Sequence, residues 1–311
     1  MAGDLSERLL KGVGKVVVGR EKEARLLLVA FLAHGHVLLE GVPGISKTLL
    51  AKVFSSCMGL EFKRVQFTPD MMPLDIVGGF VFNLKSREFD FRKGPIFSNI
   101  LLADEINRAP PKVQSALLEG MQERQVTIEG HTELLPEPFM VVATENPVEF
   151  HGVYPLPEGQ LDRFMMKVVF EYPEGAVETE ILRRNLNGID LIPVEPVLSK
   201  EQIPKLFRDV NSVKVSDEIL EYLSSLAKQT RTEERVILGA SPRAIVHLVE
   251  AARAFAFLDG RDYVIPDDIK ELAVPVLAHR IGLEQSAILK GTSPDTATII
   301  REAMEKVRPP R

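Results

Sequence analysis

The fold is decided by residues 41–48, which read Gly41-Val-Pro-Gly-Ile-Ser-Lys47-Thr48. They follow a short apolar run at residues 36–40 and open a helical pattern at residues 48–58. A strand, a glycine-containing loop and a helix in this order are typical of a phosphate-binding loop. Ser46 departs from the common pattern, which has glycine there, but serine is small enough for the loop to keep its shape. Taken alone, the octapeptide could also be a chance glycine-rich turn.

A loop of this kind turns successive backbone N–H groups inward, and the following helix adds the positive end of its dipole. A chain of phosphates is then held by many donors at once. Lys47 is expected to reach the β- and γ-phosphates of ATP, and Thr48 is expected to ligate Mg²⁺. The residues predicted to bind the nucleotide here are Gly41, Val42, Pro43, Gly44, Ile45, Ser46, Lys47 and Thr48.

A second apolar run, residues 100–103, ends in the two carboxylates Asp104 and Glu105. Both would lie at the carboxyl edge of a parallel sheet, where open α/β sheets bind ligands. Asp104 is predicted to hold the Mg²⁺ shell, and Glu105 to orient and deprotonate the attacking water. The alternative is a solvated acidic turn, which is commoner in proteins at large. Because the doublet follows a phosphate loop, we favour the functional interpretation, with hydrolysis rather than binding alone.

A third run ends in Thr144-Glu-Asn146-Pro147, which brings two further polar side chains to the same predicted edge. Asn146 can hydrogen-bond the attacking water or the γ-phosphate and so report whether that phosphate is present. The alternative is an ordinary Asn-Pro turn. The neighbouring motifs favour the sensing role.

The chain up to about residue 172 alternates short β-rich runs with helical patterns, which predicts a parallel sheet sandwiched by helices. Beyond it, a proline-bearing connector at residues 192–196 leads to amphipathic helical segments. We therefore predict a nucleotide-binding α/β domain at residues 1–190 and a smaller all-helical domain at residues 191–311. The predicted strands are residues 36–40, 62–67, 100–103, 139–144 and 166–170, the predicted core helices are residues 48–58 and 111–122, and two predicted hairpins lie near residues 80–91 and 125–134.

Composition narrows the function classes. The 311 residues carry a formal net charge of −6, so no general attraction to nucleic acid or anionic membranes is expected. The longest apolar stretch, residues 26–33, is far shorter than the ~20 residues of a transmembrane helix. The amino terminus lacks the apolar core of a signal peptide, and Cys57 has no second cysteine to pair with. The natural expectation is a cytoplasmic protein, with all six histidines structural or at the surface rather than metal ligands.

The three motifs together resemble those of AAA+ ATPases. The residue sequence of several further segments resembles the MoxR family, and this resemblance covers nearly the whole chain. The resemblance implies an AAA+ core of the P-loop NTPase type with a helical lid, and a nucleotide shared between subunits of a ring, commonly a hexamer. The segments that carry the MoxR resemblance are Arg64-Val-Gln-Phe-Thr-Pro-Asp70, Gly94-Pro-Ile-Phe97, Asp104-Glu-Ile-Asn-Arg-Ala-Pro-Pro111 and Leu118-Glu-Gly-Met-Gln-Glu123.

The same resemblance implies roles for four residues whose roles cannot be inferred from their physical chemistry alone. Arg163 matches the family's arginine finger, which reaches the γ-phosphate bound by a neighbouring subunit; the alternative is a salt bridge to Asp162. Arg243 matches the second sensor, an arginine of the lid that touches the phosphates, in a segment that is equally well a helix start. Val18 and Gly19 match the adenine pocket.

The resemblance implies a chaperone-like ATPase that remodels or matures a protein client. Such proteins commonly work with a partner bearing a von Willebrand A-type domain, and metal or cofactor insertion is one form the work takes. The two hairpins match insertions that face the ring pore. An alternative is a nucleic-acid motor of the helicase or clamp-loader kind, which the acidic balance argues against. A third hypothesis, a nucleotide switch with negligible turnover, is disfavoured by the full set of catalytic residues.

Overall fold

A computed structural model describes residues 2–148, 152–186, 194–284 and 295–310 of the chain. At its centre lies a sheet of β1 (Val37–Glu40), β2 (Phe62–Gln66), β5 (Ile100–Asp104), β8 (Met140–Glu145) and β9 (Met166–Val169). The five strands are parallel and lie in the order β2-β5-β8-β1-β9. Each of the predicted strands is confirmed to within one residue at either end.

The three central strands are apolar and buried along nearly their whole length, as expected for a parallel sheet covered on both faces. Strand β8 lies between β5 and β1, with Thr144 beside Leu39 and Ala143 beside Ala103. Because parallel strands end at one edge, the segments after Glu40, Asp104 and Glu145 become neighbours although they are far apart in sequence. The sheet thus brings all three sequence motifs to one place.

Helices cover both faces of the sheet. On one face the chain packs α1 (Ala2–Gly14), α2 (Glu21–Leu32) and α3 (Lys47–Met58); on the other it packs α4 (Pro73–Val77) and α5 (Pro111–Glu123). Two further helices, α6 (Glu158–Leu161) and α7 (Gly175–Leu186), precede and follow β9 in the chain. Pro111 occupies the first turn of α5, where the missing N–H would be unpaired in any case.

Both predicted hairpins are present: β3 (Gly78–Asn83) pairs with β4 (Glu88–Lys93), and β6 (Gln125–Ile128) pairs with β7 (His131–Leu134). In the first hairpin the rings of Phe82 and Phe89 lie opposite each other, 5.2 Å apart, and both remain substantially exposed. Cross-strand packing and surface exposure therefore coexist in the same pair.

The C-terminal part contains α8 (Ile203–Asn211), α9 (Asp217–Thr232), α10 (Pro242–Leu258), α11 (Pro266–Leu277) and α12 (Thr296–Lys306). It is helical as predicted, with one addition: a short ribbon of β10 (Val236–Leu238) and β11 (Gly282–Leu283). One hydrophobic cluster joins these helices to α1, α2 and α3. The predicted domain boundary at residue 190 and residues 192–193 of the predicted connector lie outside the described residues. Among the helices described, none has the length and apolarity to cross a bilayer.

Candidate functional site

A cleft of about 450 Å³ opens at the carboxyl edge of the sheet, and we call it the carboxyl-edge cleft. It is formed by the loop after β1, the ends of β5 and β8, and residues 16–18 of the segment between α1 and α2. Its volume falls in the range of ordinary small-molecule sites, about 300–1,000 Å³. The predicted residues that line it are Val18, Pro43, Gly44, Ser46, Lys47, Thr48, Asp104, Glu105 and Asn146.

Lys47 lies at the first turn of α3, with its side chain folded back over the loop. Its Nζ donates to the carbonyl oxygen of Gly41 and, at 3.0 Å, to that of Glu145. Partial burial lowers the pKa of Lys47, with opposing contributions from the surrounding carboxylates. Ser46, just before it, has a φ of 69°, in the left-handed region that glycine adopts most easily. The loop thus leads directly into α3 as predicted, with serine in a strained conformation.

Asp104 is the best-connected carboxylate of the cleft and is only 6% exposed. Its Oδ1 accepts from the hydroxyl of Thr144 at 2.5 Å, and its Oδ2 accepts from the hydroxyl of Thr48 at 3.2 Å. Arg64 on β2 donates twice to the same Oδ2, at 3.0 Å from Nε and 2.7 Å from Nη2. A guanidinium thus supplies the positive charge that balances Asp104. Hydroxyl and carboxylate oxygens are the ligand types that suit Mg²⁺, so Thr48 and Asp104 fit that ion chemically.

Glu105 adopts a left-handed backbone, with a φ of 59°, immediately after β5. Its backbone N–H donates to the Thr144 hydroxyl at 2.8 Å, so one threonine holds both acidic residues. The carboxylate accepts from Gln66 Nε2 at 2.6 Å and lies 3.1 Å from Arg108 Nε. Non-glycine residues in this backbone region carry strain and cluster at functional sites. The strand end therefore directs Glu105 into the cleft and ties its carboxylate to one wall.

Asn146 is 5% exposed and lies in the cleft, two residues beyond Thr144. Its Oδ1 accepts from the N–H of Val148 at 3.2 Å, so the side chain also makes the turn that Asn-Pro predicts. The preceding residue, Glu145, has its pKa raised by burial. The turn is therefore observed, and the sensing role of Asn146 stays a prediction.

Four of the residues predicted to bind the nucleotide are described by the structure but do not line the cleft: Gly19, Gly41, Val42 and Ile45. Ile45 is 7% exposed and packs in the core, while the Gly41 carbonyl receives Lys47. Gly19 forms a left-handed turn with a φ of 67°, where a Cβ would come 2.6 Å from Val177 Cγ1. Val18 does line the cleft, together with Val16, Val17 and Ile181. These apolar side chains give the cleft a wall suited to a flat, apolar ring.

Arg163 and Arg243 lie at the other edge of the sheet. They line a cavity of about 280 Å³, the arginine cavity, at the amino ends of β1 and β9, together with Arg124 and Arg253. Strand β1 has four residues, which separates the two edges by about 13 Å. Because α10 starts beside the amino edge, Arg243 lies away from the carboxyl-edge cleft of its own chain, and its contact with nucleotide phosphates stays a prediction.

The side chains of the arginine cavity are unevenly paired. The carboxylate of Asp162 lies 3.6 Å from Arg243 and 2.9 Å from Arg280, and the alternative pairing with Arg163 is not found. Within the described residues, no hydrogen bond or salt bridge is made by the Arg163 side chain. Burial raises the pKa of Glu250 in the same cavity.

Comparison with known proteins gives the family. Residues 36–166 match the ATPase family associated with various cellular activities (AAA), and residues 228–303 match the AAA lid domain. The chain is 42% identical to Chaperone MoxR1 of Mycobacterium tuberculosis, over 98% of this chain and 82% of that protein. It belongs to the MoxR family of AAA+ ATPases. As a MoxR-family member it binds nucleotide and hydrolyses ATP.

Two further relatives span the MoxR-family chain almost completely. An uncharacterized protein, YeaC of Bacillus subtilis, is 46% identical over 97% of this chain and 94% of its own. The crystal structure of a candidate ATPase from Cytophaga hutchinsonii superposes with a TM-score of 0.92 at 42% identity, covering 100% of this chain and 96% of that one. The similarity therefore extends over the whole described fold, the parallel sheet as well as the C-terminal helices.

Sequence reasoning gave no role to Arg64 and Gln66, which line the cleft of this MoxR-family ATPase. Both belong to β2, and Gln66 lies directly beside Asp104 in the parallel register. Since side chains alternate along a strand, residues 64 and 66 share one face. That alternation was visible in the sequence, but the pairing of β2 with β5 was not.

Proposed function

We propose that this MoxR-family ATPase works as a ring that remodels or matures protein clients, and that each nucleotide lies between two subunits. One observation carries the proposal: Lys47, Thr48, Asp104, Glu105 and Asn146 meet in the carboxyl-edge cleft, while Arg163 and Arg243 share the opposite edge. Subunits arranged head to tail would bring the second group of one copy to the first group of the next.

Within the cleft each residue would have a separate task. The loop N–H groups and Lys47 would bind the β- and γ-phosphates, as the helix start of α3 favours. Glu105 would orient the attacking water and take its proton, which requires its carboxylate to leave Gln66. Asn146 would hydrogen-bond the water or the γ-phosphate and so sense the nucleotide state.

Mg²⁺ bound here would neutralise charge on the β- and γ-phosphates. Thr48 and Asp104 would hold the ion, because both present oxygen atoms to the cleft and already contact each other at 3.2 Å. No trio of His, Cys, Asp or Glu within the described ranges could hold a metal alone. The remaining ligands would therefore come from phosphate and water, and Arg64 would have to release Asp104.

The opposite edge would act on a neighbouring subunit's nucleotide. Arg163 would stabilise charge on the transferring phosphoryl group, and Arg243 would contact the phosphates from the same side. Their common cavity lies at the opposite edge of the sheet from the cleft, beyond the roughly 13 Å length of β1, which supports action between subunits rather than within one. A hexamer is the ring we propose.

The client-directed part of the proposal rests on the relative named Chaperone MoxR1 and on the exposed hairpins. Phe82, Phe89 and Leu84 at the tip of the first hairpin are exposed apolar side chains that could contact a client. A partner with a von Willebrand A-type domain, metal or cofactor insertion, and a cytoplasmic location complete the proposal. Under the nucleic-acid alternative, the purified protein would instead bind DNA in a salt-dependent manner.

The first test concerns the cleft. Lys47→Ala should abolish both nucleotide binding and phosphate release, since it removes the cation beneath the phosphates. Lys52→Ala is the matched control, because Lys52 is an exposed lysine on the same helix. Nucleotide binding by titration and phosphate release are measured for both. Equal behaviour of the two variants would refute the proposed site.

The second test concerns the client. The Glu105→Gln protein, loaded with ATP in cell extract, should retain proteins that the Lys47→Ala protein does not. Retained proteins are identified and then tested as purified partners for stimulation of turnover. Retention of the same set by both variants would contradict nucleotide-gated client binding and leave the ATPase assignment intact.

A further inference from the structure

Arg280 is a buried arginine in the C-terminal part, and its side chain is 1% exposed. It ends the short 3-10 turn Ala278–Arg280 that follows α11. Its Nη2 donates to the carbonyl oxygen of Phe164 at 2.6 Å and to that of Asp162 at 3.1 Å, and its Nη1 donates to that of Met165 at 3.4 Å. Three of its bonds therefore end on the short segment that contains Arg163.

Asp162 links this arginine to the start of α10. Its Oδ1 lies 2.9 Å from Arg280 Nε, in an orientation that gives a charge contact rather than a hydrogen bond. The same oxygen accepts from the Ser241 hydroxyl at 3.2 Å, and Oδ2 lies 3.6 Å from Arg243 Nη1. One carboxylate thus joins the buried arginine to the residue proposed to contact a neighbour's phosphates.

His247, one helical turn beyond Arg243, completes the cluster. Its Nδ1 accepts from Arg280 Nη2 at 2.5 Å. Burial, followed by the charge of Arg280, lowers the pKa of His247 to about 3. The imidazole is therefore neutral at physiological pH and keeps the lone pair that this contact needs.

A buried guanidinium that holds two parts of a protein together carries an unfavourable desolvation free energy. Desolvating such a charge costs several kcal/mol, and an apolar residue of similar volume often stabilises a fold as well or better. Arginine differs from an apolar residue by offering a rigid fork of donors, which fixes the orientation of what it binds. At position 280 that fork fixes the backbone on both sides of Arg163.

We propose that Arg280, together with Asp162, is a positioning residue that sets the conformation of Arg163 and Arg243 for catalysis on the neighbouring subunit's nucleotide. Through this pair the C-terminal helices and the 162–165 segment move as one unit. A shift of the helices relative to the sheet then displaces both arginines. The inference rests on the shared site proposed above.

The test uses Arg280→Gln in the full chain. We expect nucleotide binding to be unchanged and turnover of the assembled protein to fall by about 10²-fold, the scale associated with misplacing a catalytic group by about 1 Å. The matched control is Arg261→Gln. Arg261 also pairs with a buried carboxylate, Asp268, at 2.8 Å, but that pair lies wholly within the C-terminal part. The control should keep turnover while losing comparable thermal stability.

Mixing experiments separate positioning from general damage. An Arg280→Gln subunit should have a sound nucleotide cleft and a misplaced Arg163. Mixed with Lys47→Ala subunits, which have the reverse defect, it should regain turnover. Mixed with Arg163→Ala subunits, which share its defect, it should regain none. A variant that was merely damaged near its own nucleotide would give the opposite pattern.

Each outcome has one interpretation. Wild-type turnover of Arg280→Gln, or recovery with Arg163→Ala but not with Lys47→Ala, overturns the inference. If Arg163→Ala and Lys47→Ala fail to restore each other, the shared site fails and this inference fails with it. If that pair recovers and Arg280→Gln does not, only the positioning role is wrong. Should Arg280→Gln not assemble, Asp162→Asn, at a half-buried position, is tested by the same mixtures and criteria.

Discussion

The two edges of the central sheet differ in how their charges are paired. In the carboxyl-edge cleft, Asp104 is matched by Arg64, and Lys47 donates to two carbonyl oxygens. The arginine cavity instead collects four arginines around Glu250, and Arg163 makes no side-chain pair within the described residues. On the shared-site proposal, the charges of the first edge are balanced within one chain, whereas those of the second edge are balanced by an anion on another copy.

The largest effect should come from breaking the second edge. Arg163→Ala should leave nucleotide binding by the isolated subunit intact and lower turnover of the ring by about 10³–10⁵-fold, the usual contribution of an arginine finger. Steady-state phosphate release by the assembled protein measures this. Mixing with Lys47→Ala subunits should restore part of the activity. Full turnover by Arg163→Ala alone would show that the two edges do not cooperate.

The first edge is broken by Glu105→Gln. Because glutamine keeps the shape but cannot accept a proton from water, turnover should fall by about 10²–10⁴-fold while ATP affinity is retained. Single-turnover hydrolysis and nucleotide titration are the measurements. The control is Glu61→Gln, an exposed carboxylate just before β2. Unchanged turnover would remove Glu105 from the role of base.

The carboxyl-edge cleft was predictable from sequence for a physical reason. Each of its motifs is an apolar run followed at once by polar residues, and parallel strands bring all such ends to one edge. Lys47, Asp104 and Asn146 could therefore be assigned to one site before the fold was seen. Strand order was not needed, since every order of a parallel sheet gives the same edge.

The arginine cavity was not predictable in the same way. The family resemblance gave Arg243 a contact with nucleotide phosphates, but the edge of the sheet at which Arg243 lies depends on how α10 packs against the sheet. That packing is set by contacts distant in sequence, such as Arg280 with Phe164. Arg64 was missed for a related reason, because its contact with Asp104 depends on the pairing of β2 with β5.

A smaller effect should follow from removing the guanidinium of Arg64, which pairs with Asp104 in the cleft. If Arg64 occupies the charge position that Mg²⁺ needs, Arg64→Gln should lower the Mg²⁺ concentration for half-maximal ATPase activity. The Arg64 side chain of the Arg64–Asp104 pair is half exposed, so the pair contributes up to about 1 kcal/mol. This free energy corresponds to a change of about fivefold in that Mg²⁺ concentration. Activity is measured against Mg²⁺ at saturating ATP.

The control for Arg64 lies on the same strand. Lys63→Gln removes an equal charge from the neighbouring residue, which does not line the cleft. The Lys63→Gln variant measures how far the loss of one positive charge near the cleft changes Mg²⁺ binding through long-range electrostatics alone. Equal Mg²⁺ requirements in the two variants would mean that Arg64 does not compete for Asp104.

The smallest expected effect concerns backbone strain, which both edges share. Ser46 and Glu105 at the cleft, and His34 and Arg124 at the arginine cavity, all have positive φ angles. A left-handed backbone costs a side chain roughly 1–2 kcal/mol, while glycine loses about 0.5–1 kcal/mol more entropy on folding. Ser46→Gly should therefore stabilise the chain by up to about 1 kcal/mol in urea unfolding.

The reverse change at Gly44 isolates the strain in the same loop. Gly44 has a φ of 83°, and a Cβ there would meet nothing within 4 Å. Gly44→Ala therefore adds conformational cost without a clash and should destabilise the chain by about 1 kcal/mol. Destabilisation by both variants would mean that the Ser46 hydroxyl contributes more than its backbone costs, although it makes no capping hydrogen bond to α3. If only Gly44→Ala destabilises, the loop holds its phosphate-binding shape at the expense of stability, as the strain at Glu105 also suggests.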